Sequence, residues 1–583
     1  MSCRWMVALM IQALLAGAGC SDDGDPVPPD GAADAADSGF FEGGTGEAGA
    51  DTSVGKNATI QGTVSLRPDI FPPPPGDLAG PVYVGVLSGP PELGGMPVKL
   101  DKFTADFSSG PVQYSIAEIP PGKYMVSALF DDNGNFSPSA PMDAGDIVNP
   151  LMIPIELKAG QQLKLDLILD TPVPPTKPYC GDEPLDATER QCIFDFIWEF
   201  ANRYNPFLTL KAVDWQAVKT QYQPLVAQQG TDQEFHLLMA QLLAELRDAH
   251  SGIGGSLILS HLGLKATVSG VKLTWVNGEV YVEWLKAGSA AETAGLQAGD
   301  HVLKIDDKTF TSFQSSVGGY FAHPNDHHYY ATLANAWLAG DQGTTAKIEI
   351  ERGAATVNVP RSVPTSSTDP LVTSSRLTGK SGKEYGYVRI RSFAEKHPEV
   401  VTLFDKALDG LLDVSGLILD LRENSGGLSS YGFAMVSRLI DKPKAISHHY
   451  YRGSLTEYVA AMVQPGNNPY LGPIVVLTDE HAYSNGHTFS TELKGIGRAT
   501  LVGRTTGGGS ATPEMWLLST ALQVGMSKAL TTSVSGTIDE ELGVKPDLEV
   551  SMTVTDLESG LYQKPGTPQN DIVLQKAIEK LGD

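Results

Sequence analysis

Between residues 57 and 170 apolar positions recur in short alternating runs (58–66, 82–87, 112–116, 124–130 and 162–169), separated by turns such as Pro120-Pro121-Gly122 and Asn133-Gly134. A period of two cut by such turns predicts strands, and strands in this number predict an N-terminal all-β sandwich. A Pro-rich break at 172–178 ends this pattern. The period then changes. Residues 193–204 read as a helix, and the capping box Thr231-x-x-Glu234 opens another that sets Phe235, Leu238, Met239, Leu242, Leu243 and Leu246 on one face. This second helix is expected to run to near Gly252, with Asp248, Ala249 and His250 at its C-terminal end. β-like runs return over 257–365. Beyond 366, buried strands are expected at 385–390, 416–421, 474–478 and 499–503, with a helix at 400–412. Strand and helix in alternation predict a parallel sheet with crossovers, whose ligand site lies at the C-terminal ends of the strands.

Length and charge narrow the classes of function. A chain of 583 residues is enough for about three to five domains. Forty-two Lys plus Arg against 68 Asp plus Glu give a net charge of −26 with no local basic stripe, which argues against nucleic acid as a partner. Residues 1–20 hold Arg4, an apolar run over 5–15 and small residues ending at Cys20, the order of an export signal. Ala16-Gly17-Ala18-Gly19-Cys20 resembles the lipobox of bacterial lipoproteins, with Gly17 where that motif usually has Leu. The resemblance implies a lipid on Cys20 and an exported protein, lipid-anchored to a bacterial membrane and facing periplasm or cell surface. No later segment has the roughly 18 uninterrupted apolar residues of a transmembrane helix, so membrane attachment is expected through the anchor only.

Residues 21–56 are expected to follow as a disordered acidic linker, with nine Asp or Glu before the first basic residue, Lys56. With Cys3 leaving in the signal and Cys20 lipidated, Cys180 and Cys192 remain as a candidate disulfide in an exported chain, the alternative being two buried thiols. No Cys cluster has zinc spacing.

Asp131, Asn133 and Asn135 have the first spacings of a calcium loop, but Phe136 stands where the loop needs Gly and no Glu follows at position twelve, so a hairpin turn is expected. His323, His327 and His328 lie in an insertion between 318 and 342 without convergent carboxylate or Cys, and are expected to be solvated loop residues, with no metal site. The segment Ile119-Pro120-Pro121-Gly122-Lys123-Tyr124 resembles prealbumin-like carboxypeptidase-regulatory sandwiches, which implies a non-catalytic domain. Ala294-Gly295-Leu296-Gln297-Ala298-Gly299-Asp300 and the apolar run after it resemble a PDZ domain, which implies binding of extended peptides at a sheet edge.

Two strand ends carry the candidate chemistry. After 417–421 comes Arg422-Glu423-Asn424-Ser425-Gly426-Gly427, whose paired glycines let backbone amides approach a ligand. After 474–478 the chain reads Asp479-Glu480-His481-Ala482-Tyr483-Ser484-Asn485-Gly486-His487, which sets Ser484 at a strand-to-helix turn. A serine there is either a helix N-cap or a nucleophile beside amides that hold an oxyanion. The motif Asp420 to Gly427, the strand running into Tyr483-Ser484, and Gly497-Arg498-Ala499-Thr500-Leu501-Val502-Gly503-Arg504-Thr505-Thr506-Gly507-Gly508 occur in the order of the S41 serine peptidases, which include the C-terminal processing peptidases and the tricorn core protease. Asp248-Ala249-His250-Ser251-Gly252 resembles the D-x-H-[ST]-G segment of that family and precedes the PDZ-like region.

The resemblance implies a Ser484 nucleophile and separates two designs. The lysine base of the processing peptidases aligns with Gly509, so a Ser-Lys dyad is not expected. The tricorn-like design implies His250 as base and Glu540, in Glu540-Glu541-Leu542-Gly543-Val544-Lys545-Pro546-Asp547, as its partner. Ala249 departs from tricorn, where a Ser links Glu to His, so Glu540 is expected to reach His250 directly, through water or not at all. The oxyanion is assigned to amides of Gly426 or Gly427 and of Asn485, with Asp248 and Arg422 as structural braces and His487 as the competing base.

The expected chain is multidomain: signal 1–20, linker 21–56, β-sandwich 57–170, N-terminal helical part of the peptidase 183–256, PDZ-like domain 257–365, and C-terminal α/β (βαβ, crotonase-like) core 366–583. The expected function is hydrolysis of peptide bonds in extracytoplasmic proteins or peptides, with no cofactor. Two alternatives stand beside it: an inactive binding protein for a peptide or small apolar ligand on the same scaffold, as in the retinoid carriers related to this fold, and a surface scaffold acting through the sandwich.

Overall fold

The computed structural model describes residues 57–582, apart from 68–69, 73–77, 90–95, 137–144, 150–152, 176, 229, 249, 363–368, 395, 452–457 and 561–569. The signal with Cys20, the linker and Ala249 lie outside the described residues. The chain divides after Val173 into two units.

In the first unit, strand Ala58–Leu66 pairs antiparallel with Val112–Ile119 and parallel with Gln162–Lys164 and Leu167–Leu169. A second sheet sets Ala79–Leu87 between Pro97–Asp106 and Gly122–Phe130. Both sheets feed one core, with Ile60, Val64 and Ile116 from the first and Val84, Val126 and Phe130 from the second. Strand Pro97–Asp106 escapes a hydrophobic-pattern reading because charged residues fall on both of its faces, Lys99 and Asp101 on the side of Phe103 and Ala105 and Lys102 and Asp106 on the other, along a sheet edge where charge discourages pairing with another chain. After Gly122–Phe130 the Asp131 carboxylate accepts from the Asn135 and Phe136 amides (3.1 and 3.0 Å), closing a turn.

The second unit opens with helix Ala187–Tyr204, capped by Asp186 and Glu189 and tied to the preceding chain by a Cys180–Cys192 disulfide. Its apolar face includes Phe196, which packs on buried Trp516 with ring centroids 4.9 Å apart. The helix opened by Thr231 spans Asp232–Ala244, so the expectation that it carries His250 is corrected. The chain leaves the helix at Arg247, which is left-handed (φ 50°). Reciprocal bonds, from the Lys211 ammonium to the Arg247 carbonyl and from the Arg247 guanidinium to the Lys211 carbonyl, hold that exit.

Residues 257–365 form a two-stranded sheet (Val271–Val276, Glu279–Leu285) and a three-stranded one (Val302–Ile305, Thr345–Ile350, Ala355–Pro360) around a core that includes Val282, Phe310, Leu333 and Ile348. The region read as a loop with histidines instead contains helix Asp326–Ala336, capped by Asn325. Sequence periodicity is weak there because both of its sides face protein.

The last part is built on a six-stranded sheet in the order Val372–Thr378, Glu384–Ile390, Leu417–Asp420, Ile474–Thr478, Thr500–Gly503 and Leu548–Glu549. All pairs but the first are parallel. The two central strands are buried throughout, as parallel strands covered on both faces must be. Their C-terminal ends carry the two motifs. A second sheet, with long strand Gln523–Ser533 at its centre, receives Gly252–Ile253 at one edge and so brings the His250 segment to the core. Among the described residues no helix is long and apolar enough to cross a membrane.

Candidate active site

The turn after Ile474–Thr478 is drawn tight by one carboxylate. Asp479 accepts from the amides of Glu423 (3.0 Å), His481 (3.1 Å) and Ala482 (3.0 Å), which joins the ends of the two central strands. Tyr483 N–H then donates to Asn424 O (3.0 Å) and Ser484 N–H to Gly508 O (3.2 Å). Ser484 is held at φ 53°, ψ −126°, a region costing a non-glycine residue about 1–3 kcal/mol. Helix Asn485–Gly495 begins immediately after it, yet the Ser484 hydroxyl caps no helical amide. That oxygen lies 3.0 Å from His250 Nε2.

Gly426 is required by this contact. At φ 96°, a Cβ there would meet the Ser484 Cβ and the Asn485 nitrogen, each at 2.6 Å. Its amide was one candidate oxyanion donor, and here the structure corrects the expectation: Gly426 N–H donates to the Asn424 side-chain oxygen (2.9 Å). The neighbouring amides of Gly427 and Asn485 make no hydrogen bond among the described residues. Arg422 braces the loop from behind through buried pairs with Asp420 (2.6 Å) and Asp571 (2.7 Å).

His250 is positioned by Asp248, whose carboxylate accepts from His250 N–H (3.0 Å) and from the Ser251 hydroxyl (2.6 Å). Burial lowers the His250 pKa, with the Asp248 charge acting the other way, so a neutral imidazole is favoured at neutral pH. Its second nitrogen, Nδ1, faces the Tyr483 hydroxyl at 3.1 Å, and the two rings stack with centroids 4.9 Å apart. Glu540 is wholly buried and is held by Ser510, whose amide and hydroxyl (2.9 Å) donate to Oε2. Burial first, then the Asp248 charge, pushes the Glu540 pKa up to about 7 against the pull of Lys211 and Ser510. Glu540 makes no hydrogen bond to His250, and its Oε1 has no hydrogen-bond partner among the described residues.

His487 is buried with Nδ1 2.7 Å from the Thr506 hydroxyl, and burial drives its pKa down to about 3. It makes no hydrogen bond to Ser484 among the described residues. His327 donates from Nε2 to Thr506 O (2.8 Å) and His328 from Nδ1 to Glu480 O (2.9 Å), while Asn325 donates to Gly507 O (2.8 Å). These histidines therefore pin helix Asp326–Ala336 onto the loops of the site, a structural use in place of the expected solvation. A cleft of about 480 Å³ opens beside Tyr483, lined by Lys272, His328, Glu423, Ser425 and His481 among others.

Residues 384–550 match peptidase family S41, residues 186–244 the tricorn protease C1 domain, and residues 258–316 the PDZ domain. Residues 384–550 thus carry a peptidase family S41 domain, preceded by a PDZ domain. The chain is similar to the carboxy-terminal processing protease CtpA of Bacillus subtilis, 26% identical over 320 residues that span 54% of this chain and 63% of that protein. The tricorn protease of Thermoplasma acidophilum is 31% identical over 168 residues, 28% of this chain and 14% of that one. Among solved structures, mature CPAF complexed with lactacystin superposes with a TM-score of 0.52 at 16% identity, covering 68% of this chain and 99% of that one, a likeness of fold.

The structure brings Ser484, His250 and the glycine turn to one place, while sequence reading missed the parts of Tyr483 and Ser510 and took His328 for a solvated loop residue. Tyr483 carried one signal, its position directly before the candidate nucleophile. Ser510 carried none, and the histidine cluster did not reveal the use of His328, since their partners are about 30 and 150 residues away in sequence.

Proposed function

We propose that the protein is a serine peptidase that hydrolyses peptide bonds of extracytoplasmic proteins or peptides, with Ser484 as nucleophile, His250 as general base and Glu540 as the buried carboxylate of the site. The observation that carries this reading is the 3.0 Å contact between His250 Nε2 and a Ser484 oxygen that serves no helix cap. His250 takes the Ser484 proton as Oγ attacks the scissile carbonyl, then returns it to the leaving amine, and water releases the acyl group by the same route in reverse. The oxyanion is assigned to the Gly427 and Asn485 amides, because the Gly426 amide is already bonded to Asn424.

Family membership supports peptidase chemistry, and the PDZ region supports recognition of an extended peptide. Carboxy-terminal processing, the activity for which the relatives are named, is one candidate mode. The same reading takes 57–170 as a non-catalytic sandwich, 183–256, 257–365 and 366–583 as the helical, PDZ-like and crotonase-like parts of the peptidase, and Cys20 as a lipid anchor that holds the enzyme at a bacterial membrane, facing periplasm or cell surface.

The test is labelling of the mature protein with a serine-reactive fluorophosphonate, read by mass spectrometry. One adduct per chain on Ser484, absent from Ser484→Ala with unchanged melting, is the expected result. An adduct that persists in Ser484→Ala would remove the nucleophile assignment.

A further inference from the structure

His250 can act as a base only in one of its two neutral forms. Nε2 must be bare to accept the Ser484 proton, so Nδ1 must carry hydrogen, and some acceptor must hold that hydrogen in place. The linking Ser of tricorn is replaced by Ala249, and Glu540 does not bond to the imidazole. The group at Nδ1 is the Tyr483 hydroxyl, 3.1 Å away. A hydroxyl can accept from Nδ1 or donate to it, and donation would move the imidazole hydrogen to Nε2 and block the site.

The ring of Tyr483 is fixed from several sides. It stacks with His250 and also with His328, whose centroid is 4.6 Å away at an interplanar angle of 12°. At Gly509, φ +75°, a Cβ would lie 2.1 Å from the Tyr483 ring. That is the position where the lysine of the Ser-Lys design aligns, so the tyrosine ring occupies the volume a side chain there would enter. The next residue, Ser510, holds Glu540. Glu540 and Asp248 are the charges that bear most strongly on the Tyr483 hydroxyl. A hydroxyl dipole follows the local field, and a carboxylate that draws its proton leaves the oxygen lone pair free to accept from Nδ1.

We propose, resting on the serine-peptidase reading above, that Tyr483 is a positioning residue: its hydroxyl, oriented by the Glu540 carboxylate, accepts the Nδ1–H of His250 and holds the imidazole in the form that takes the Ser484 proton. No proton passes between His250 and Tyr483. The base is set by orientation, and Glu540 acts at a distance through the direction of one O–H bond.

The test uses the full mature chain and a fluorophosphonate as probe, with the second-order labelling rate of Ser484 measured from pH 5 to 9 for wild type, Tyr483→Phe, Glu540→Gln and the double variant. Each single variant is expected to label about 10- to 100-fold more slowly, and the double variant within about threefold of Tyr483→Phe, because a ring without a hydroxyl leaves Glu540 nothing to orient. The acid limb of the wild-type profile should vanish in Tyr483→Phe, a change that mere loss of packing would not cause. The other ionisable groups facing these residues, Asp248, Lys211, His327, His328 and His487, are the same in all four proteins.

A double variant slowed by the product of the single effects, or Tyr483→Phe labelling at the wild-type rate, would overturn the positioning role while leaving the serine-peptidase reading intact. Wild-type protein labelled no faster than Ser484→Ala would overturn both. A measurement on the wild type alone guards against misfolded variants: imidazole nitrogen NMR of His-labelled protein at pH 8 should show His250 protonated on Nδ1, and protonation on Nε2 would overturn the proposal.

Discussion

Ser484 pairs a left-handed backbone with a hydroxyl aimed at an imidazole, and neither feature is useful without the other. The strain is tolerated because Gly426 leaves no Cβ beneath it and because Asn424, Gly508 and Asp479 fix the flanking chain. Residue-scale electrostatics then give the proposed mechanism a pH dependence. In the proposed mechanism His250 is already favoured neutral by burial, and the group left to lose a proton is Glu540, with its pKa pushed up to about 7. The fluorophosphonate labelling rate of the wild type is therefore expected to rise through about pH 7 and level off above it, and a rate flat from pH 5 to 9 would separate Glu540 from the chemistry. Asp248 and Lys211 act on Glu540 in opposite senses, so Lys211→Met should move this limb to higher pH.

At the scale of elements, helix Asn485–Gly495 is buried along nearly its whole length, which is unusual for a helix carrying a Glu in its last turns. Glu492 accepts from the Ser447 hydroxyl (2.9 Å) with one oxygen, and burial raises its pKa to about 8. The sign follows from proton counting. Between about pH 4.5, where an unfolded Glu ionises, and pH 8, the folded chain holds a proton that the unfolded chain has lost, so stability falls as pH rises across that window. Glu492→Gln is expected to flatten this slope, giving a variant less stable than wild type near pH 5 and closer to it, or above it, near pH 8.5 in urea unfolding. Parallel curves for the two proteins would show that Glu492 does not titrate in this range. Helix Asp326–Ala336 teaches a related point about elements: its histidines resembled a loop cluster in sequence because the partners that use them, Thr506 and Glu480, belong to another part of the chain.

For the molecule as a whole, the division after Val173 leaves each unit with its own apolar core. The groups of the candidate site, from Lys211 to Glu540, all belong to the second unit. A chain beginning at Pro174, produced where the Cys180–Cys192 bond can form, is expected to fold and to label on Ser484 at a rate within about threefold of the mature protein. A soluble, folded truncation that does not label would give the first unit a part in the chemistry.

Much of this was legible from residue order alone. The period-two runs of the first unit, the buried strands 474–478 and 385–390, the capping box at Thr231 and the glycine pair after Leu421 each rest on local physics, where neighbours in sequence are neighbours in space. Those signals, with the family resemblance, were enough to name Ser484, His250 and Glu540. What they could not decide was the arrangement among them. The His250 helix ended early because Lys211 and Arg247 exchange bonds across about 36 residues, and the Gly426 amide was taken by a side chain two residues back through a turn only the folded loop creates. The hydroxyl at Nδ1 came from Tyr483, about 230 residues beyond His250, because a missing Cβ at Gly509 opened room for its ring. Periodicity records which face of an element is apolar. Which polar atom meets which is set by packing between elements, and that was decided by the tertiary structure alone.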